Sequence, residues 1–380
     1  MAAQFDCQVC GHAGLRPIAS FSNLKRVTSD CKPFAQGGVL SECPACGATQ
    51  KWPTPDWLAE IASIYADYTP YYQAEGVEQI VMDSATGTLQ RRSDVIVSRL
   101  KASKALAPSA RVLDVGCGSG ATLKAFAKEY PSAQLFGNEL DSRDHSHLYA
   151  IPGFRKLYTG AASEIDQQFD LITSIHSLEH FASPFAVLRQ LREKVAPGGR
   201  LFIQLYNSAE NPFDLLIADH LMHFTPRTLA QIVERAGFCV ESLETGWVPK
   251  EMSLLARASA GRGGYETYPE LRGREKTVKW LISVADDAAG FAAQTDAFGI
   301  FGTSIAATWL AGSLEGRVNF FVDEDPLRQS RLYMGKPVLS PQRVPAGNTV
   351  FLALVPNIAA NVRRRLEPLG IRFAAPKPIG

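Results

Sequence analysis

The chain has 380 residues, enough for two or three domains that each bury a core. Lys plus Arg number 39 and Asp plus Glu 38, so the net charge is +1, which argues against affinity for nucleic acid or anionic lipid gained through bulk positive charge. The composition, 46% apolar and 20% charged, excludes wholesale disorder and holds no apolar run long enough to span a bilayer; without a basic, apolar leader at Met1–Cys7, the expectation is a soluble cytoplasmic protein.

In chain order, the first signal is a set of cysteines. Of seven, four fall as Cys7-x-x-Cys10 and Cys43-x-x-Cys46, each pair followed by a glycine, Gly11 or Gly47. Tight turns of this kind bring two thiolates onto one metal, and two such turns make a closed four-cysteine site for structural Zn2+. Redox CxxC motifs and a pair of disulfides are the alternatives. The expected reducing compartment and the lack of a helix opening at either pair weigh against them. Cys31, Cys117 and Cys239 show no pairing pattern.

This zinc-binding module, 1–55, ends at Trp52-Pro-Thr-Pro55. A helix is expected from Asp56, as its cap, to Tyr68, then an aromatic segment with Tyr71 and Tyr72, then a longer helix over 80–106 carrying Arg91, Arg92 and Arg99. From Arg111 strands alternate with helices. Strands are expected at 111–115, 134–140, 169–174, 201–206 and 238–245, and helices at 121–130, 185–195 and 225–236, with a turn at Pro197-Gly-Gly-Arg200. That alternation implies a doubly wound parallel sheet within a domain spanning 56–257. After a small-residue linker the pattern restarts. Helices at 274–294, 303–310 and 358–366 and strands at 297–301, 317–322, 349–355 and 371–374 predict a smaller C-terminal α/β Rossmann-like domain over 271–380.

The most informative stretch is Val112-Leu-Asp-Val-Gly-Cys-Gly-Ser-Gly120. A buried strand delivers Asp114, and Gly116, Gly118 and Gly120 turn into a helix whose N–H groups face a ligand. Glu139 ends the next strand, where a carboxylate can accept both hydroxyls of a ribose. The spacing GxGxG differs from the dinucleotide fingerprint, whose third glycine falls one residue later.

Asp114-Val-Gly-Cys-Gly-Ser-Gly120 with Glu139 resembles the first motifs of class I S-adenosylmethionine (SAM)-dependent methyltransferases. Phe169-Asp-Leu-Ile-Thr-Ser-Ile-His-Ser-Leu-Glu-His180 and Ala196-Pro-Gly-Gly-Arg200 match later parts of that pattern, so the likeness covers about 111–245. It implies that Asp114, Gly116, Gly118, Gly120, Glu139 and Leu140 hold SAM, that Ala161 flanks the adenine, and that Ser174 and His176 lie below the sulfonium. A wider likeness covers nearly the whole chain. Four cysteines, a SAM fold and a C-terminal α/β domain together resemble the sugar C-methyltransferases that act on nucleotide-linked keto-deoxysugars. In Ala218-Asp-His-Leu-Met-His-Phe224, His220 stands where that family places its base, while Ile217, Asp219 and His223 depart from its Tyr, Glu and Tyr.

A carbon acceptor must lose a proton beside a carbonyl, which calls for a base and for stabilisation of the enolate. Histidine suits both tasks near neutrality. The candidates are His220 first and His180 second, with Tyr72 assisting as the resemblance implies and His223 beside His220. The expected partner is a small-molecule substrate, a nucleotide-linked sugar, and neither nucleic acid nor membrane. Arg91, Arg92 and Arg99 are candidates to meet a diphosphate, and Gly299 and Gly302 for a phosphate turn. An O-methyltransferase on the same scaffold is the alternative; a nucleic-acid methyltransferase and a SAM-binding protein without turnover are remoter ones.

Overall fold

A computed structural model describes residues 5–69, 78, 80–82, 88–104, 106–140, 145–259 and 264–379. Its centre is a seven-stranded sheet: β1 (Arg111–Val115), β2 (Gln134–Glu139), β3 (Phe154–Thr159), β4 (Phe169–Ile175), β5 (Val195–Tyr206), β6 (Phe238–Glu244) and β7 (Glu251–Ala258). The spatial order is β3-β2-β1-β4-β5-β7-β6. β1 to β5 run parallel; helices Ala121–Glu129 and Pro184–Lys194 return the chain from β1 to β2 and from β4 to β5, and the short turns Ser146–Ala150 and Ala162–Glu164 lie on the other two crossings. β7 lies antiparallel to both β5 and β6, so the sheet is mixed rather than wholly parallel. The order reverses between β1 and β4, and a crevice opens outside their carboxyl ends.

Several local expectations change. Thr54, not Asp56, caps helix Pro55–Ala66, its side chain accepting from Trp57 N. The helix expected over 80–106 is a hairpin, Ile80–Met82 against Leu89–Arg91, followed by helix Arg92–Ala102. That helix starts where it does because the Glu78 carboxylate accepts from Ser93 N and Oγ, both at 2.7 Å, serving N-terminal donors. The expected turn at Pro197–Arg200 falls within the limits of β5: pairing with β4 jumps from Phe169–Val195 to Leu171–Arg200, so the residues between loop out of the ladder, with Gly198 at φ +79°. β3 and β7 have no place in the alternation read from sequence. β3 is an edge strand whose Arg155 and Lys156 are exposed, which dilutes its apolar signal. Tyr71 and Tyr72 lie outside the described residues.

The C-terminal domain holds a six-stranded sheet in the order Leu332–Tyr333, Lys336–Leu339, Phe320–Val322, Phe298–Phe301, Thr349–Leu352, Arg372–Ala374. Only the first of these runs antiparallel to its neighbour; the rest are parallel. The cysteine module builds no core of its own. Cys7, Val9, Cys43, Cys46 and Ala48 pack with the central sheet, whereas Ile18, Phe21, Leu24 and Val27 pack with Val278, Trp280 and Trp309 of the C-terminal domain. Some 50 residues enclose too little volume to do otherwise. Its strand Thr49–Lys51 also pairs with Met222–His223 from the loop after β5, which joins the cysteine module to the central domain there. Among the described residues no helix is long and apolar enough to cross a membrane.

Candidate active site

A cavity of about 620 Å³ runs from the β1 turn to the loop carrying His220. At its first end, β1 delivers Asp114 and the chain turns through Gly116 and Gly118, with φ of +74° and +48°. A Cβ on Gly116 would sit 2.6 Å from Ser177 Cβ, so packing demands glycine there. A Cβ on Gly118 would meet nothing within 4 Å, so its missing side chain leaves a cradle open to the cavity. Gly116 N donates to Asn138 O at 2.8 Å, tying the turn to β2. The Glu139 carboxylate accepts from Gly118 N, at the height where a ribose would lie. Asp114 accepts from Thr173 Oγ1 at 2.6 Å, and burial pushes its carboxyl up to about 7.

These groups fit the donor expected from sequence: backbone N–H groups, an open cradle and a carboxylate on the neighbouring strand. Asp114, Gly116, Gly118, Glu139, Leu140 and His176 line the cavity, Leu140 at its exposed rim. Gly120, Ala161 and Ser174 do not. A Cβ on Gly120 would strike Leu148 and Ile151, which makes that glycine a packing requirement. Ser174 is buried with its Oγ 2.6 Å from Ser177 Oγ, which donates to Val115 O at 2.7 Å. Ala161 precedes the short turn Ala162–Glu164, outside the wall.

Mid-cavity, His176 follows β4 with φ +49°, its N donating to Gln204 O at 2.8 Å. Its Nε2 lies 3.1 Å from Glu251 Oε2 and its Nδ1 3.5 Å from Glu179 Oε1. Burial opposes a charge on this ring, but Glu251 and Glu179 together raise its affinity for a proton above the usual histidine range. Glu251 also accepts from Gln204 Nε2 at 2.8 Å and faces Arg92 Nε at 3.5 Å. Burial would lift its carboxyl, yet Arg92 and His176 hold it at about 2.

The far end carries two carboxylate-backed histidines. His220 Nδ1 lies 2.9 Å from Asp214 Oδ1; His180 Nδ1 lies 3.3 Å from Asp219 Oδ2 and 3.0 Å from the Tyr65 hydroxyl. Their rings meet edge to face with centroids 4.6 Å apart, and both line the cavity. Burial works against a proton on His180, but Asp219 and Glu179 raise its pKa above the ordinary value. Ser29 of the cysteine module fixes Asp219, donating N–H at 2.8 Å and Oγ–H at 2.5 Å. His223 does not line the cavity. Its Nδ1 is 2.8 Å from Asp214 Oδ2, and burial with the nearby Lys51 charge lowers it to about 3. Each of these three histidines therefore presents Nε2, rather than Nδ1, as the nitrogen not engaged by its carboxylate. The cavity-lining pair can remove a proton at one point and supply one at another.

Cys7 Sγ lies 3.6 Å from Cys46 Sγ, Cys10 Sγ 3.6 Å from Cys43 Sγ, and the four sulfurs fall within 4.8 Å of one another. Sulfurs around a tetrahedral zinc with Zn–S near 2.3 Å stand roughly 3.8 Å apart, so this donor set fits zinc. All four cysteines are free, which excludes the disulfide alternative in this structure.

Several residues at the site have no functional role assigned in the sequence reading. Asp214, Asp219's partner Ser29, Tyr65, Glu179, Tyr206, Glu251 and Arg328 all touch this network or line the cavity. Asp214 was within reach, since it precedes two histidines on a short loop. Ser29 and Arg328 were not, because only the assembled domains bring them to the wall. Arg92 lines the cavity and faces Glu251 behind it, whereas Arg91 and Arg99 do not line it. At the Gly302 turn, Thr303 N donates to Asp323 Oδ2 at 3.0 Å and Arg328 donates to Thr303 O at 3.0 Å, so protein groups already serve that turn.

Residues 88–243 match a family described as a methyltransferase domain. A ubiquinone biosynthesis O-methyltransferase of Aeromonas salmonicida is 28% identical over 155 residues, covering 35% of this chain and 64% of that protein. One of Pseudomonas fluorescens is 32% identical over 132 residues, covering 31% of this chain and 54% of that protein. The chain thus spans between about half and two thirds of the relatives it matches. A TehB-like SAM-dependent methyltransferase from Corynebacterium glutamicum aligns with TM-score 0.35 and 15% identity over 54% of this chain and 97% of its own. Residues 88–243 of the chain thus resemble a methyltransferase domain.

Proposed function

We propose that the chain uses SAM to methylate a carbon beside the carbonyl of a nucleotide-linked keto-sugar, with His220 as the base. The observation that carries this is the pair of carboxylate-backed rings, His220 on Asp214 and His180 on Asp219, 4.6 Å apart in the cavity that begins at the glycine turn. SAM, when bound, supplies an electrophilic methyl group. The Gly116–Gly118 turn and Glu139 hold and orient it, and His176 lies between that turn and the histidine pair. His220 Nε2 takes the proton from the acceptor carbon. His180, whose proton Asp219 stabilises, donates a hydrogen bond to the enolate oxygen that forms. Bound there, SAM would supply the methyl to that carbon and leave as S-adenosylhomocysteine; the residues of the wall serve to align the two reactants. An oxygen acceptor would need a single base; two separately backed histidines suit deprotonation joined to enolate stabilisation.

The sugar class is supported by the resemblance of the three-unit arrangement, and by Arg92 and Arg328, guanidinium groups on the wall that suit phosphate oxygens. Structural zinc in the four-cysteine cluster, with no coordination position left open, completes the proposal. A second reading, transfer to oxygen, is favoured by the names of the curated relatives, which are O-methyltransferases.

The test is incubation with SAM and a panel of nucleoside-diphosphate keto-deoxysugars in deuterated water, read by NMR. Deuterium exchange at the carbon beside the carbonyl, followed by a new C-methyl signal, is expected. A methoxy signal would replace this reading with the second, and no transfer to any member would remove the sugar class.

A further inference from the structure

We propose that Lys51, on a strand of the cysteine module, is a positioning residue that sets the tautomer of His220 through His223 and Asp214. This deepens, and rests on, the reading of His220 as base. Thr49–Lys51 pairs antiparallel with Met222–His223, Gln50 opposite Met222 and Thr49 opposite His223. That pairing drives the Lys51 side chain, with no exposed surface, under the loop that carries the acceptor-end histidine. Its Nζ donates to Ile217 O at 2.5 Å and His220 O at 2.8 Å, and lies 3.1 Å from His223 Nε2.

An ammonium has three hydrogens and no lone pair. Two hydrogens go to carbonyls, so the third points at His223 Nε2, and that nitrogen must be the bare acceptor of its ring. The proton of neutral His223 then sits on Nδ1 and is donated to Asp214 Oδ2 at 2.8 Å. Asp214 is thereby left as a carboxylate whose other oxygen, Oδ1, faces His220 Nδ1 at 2.9 Å. It accepts the His220 proton there, and His220 Nε2 is left with its lone pair directed away from Asp214. One buried cation thus orders two histidines across one carboxylate, and it does so from the module that holds the four cysteines. Burial and the Arg26 charge pull the Lys51 amine down to about 7, while Asp214, Asp219 and Glu60 oppose them, so the ammonium, and with it this donor pattern, prevails below that pH.

The experiment compares Lys51→Met, Lys51→Arg, His223→Phe and the double variant Lys51→Met/His223→Phe in the full-length metal-loaded protein. Histidine ring 15N NMR reads the tautomers, calorimetry reads SAM affinity, and turnover is measured with a keto-sugar accepted in the panel above. In the wild type, His223 should show a protonated Nδ1 and a bare Nε2. Lys51→Met should mix the His223 tautomers and lower kcat about tenfold, with KM and SAM affinity within about twofold. Lys51→Arg should restore most of the loss, and the double variant should be no slower than the slower single variant. His223 remaining in one tautomer in Lys51→Met, or losses that multiply in the double variant, would overturn the proposal. If Lys51→Met does not fold, an unchanged kcat in His223→Phe would overturn it instead. His220→Asn separates the two readings: full turnover there removes the base, whereas the His223 tautomer still reports the Lys51 link.

Discussion

The two ends of the cavity are built in different ways. The donor end comes from one continuous stretch: Asp114, Gly116 and Gly118 lie on one strand and turn, and Glu139 ends the adjacent strand. The acceptor end is assembled from segments far apart in the chain. Ser29 and Lys51 come from the cysteine module, Tyr65 from the first helix, His180 and Glu179 from after β4, and Asp214, Asp219 and His220 from the loop after β5. The donor end can therefore survive damage that abolishes the acceptor end, and the two should fail in separable assays.

Removal of the metal is the broadest way to break that contrast. Stripping the four-cysteine cluster with a chelator should abolish methyl transfer, because Thr49–Lys51 loses its footing beside Cys46, while SAM binding measured by calorimetry persists. Loss of both together would mean the ends are one cooperative unit. His220→Asn should slow proton exchange by about 10²- to 10⁴-fold with SAM affinity intact. Glu139→Ala is the mirror image. Loss of a charge-assisted pair of ribose hydrogen bonds should weaken SAM binding by roughly 10- to 100-fold, with proton exchange retained.

A pH experiment sharpens the acceptor end alone. Asp219 raises the His180 pKa, so the proton His180 must donate is present below that raised value and is lost as pH rises through it. Asp219→Asn removes the first-named hold on that proton, and the alkaline limb of kcat should move to lower pH by about one unit. The stability contribution of the His180–Asp219 pair has the same sign at its histidine: it is present at low pH and fades as pH passes the raised pKa. From the Asp219 side, burial opposes charge but the His180 contact lowers its pKa, so that part of the stability is full above the ordinary carboxylate range and declines as pH falls below it. The smallest effect belongs to Tyr65→Phe. Removing the hydroxyl 3.0 Å from His180 Nδ1 should lower kcat by only a few-fold, since Asp219 remains. A large fall would assign the orienting role to Tyr65 instead.

The legibility of these regions follows the same division. The glycine turn is readable because a strand, a turn and a helix impose residue types on neighbours in sequence. The cysteine pairs are readable because thiolates at that spacing have few uses. The start of helix Arg92–Ala102 is not, because it depends on Glu78, fifteen residues before Ser93. β3 and β7 are hidden because an edge strand with exposed charges and a strand antiparallel to its neighbours do not follow the βα rhythm.

The sequence by itself determined that a buried strand ends in a glycine turn with an acidic residue on the next strand, that four thiols are placed for one metal, and that histidines cluster after β4 and β5. Backbone sterics and ligand chemistry act over a few residues, so they leave marks in composition and spacing. Only the tertiary structure decided which histidines face each other, which carboxylate backs each ring, and that a lysine from the cysteine module lies beneath them. Those pairings are contacts between segments far apart in the chain, chosen by how three partial cores close against one another, and no local pattern encodes them.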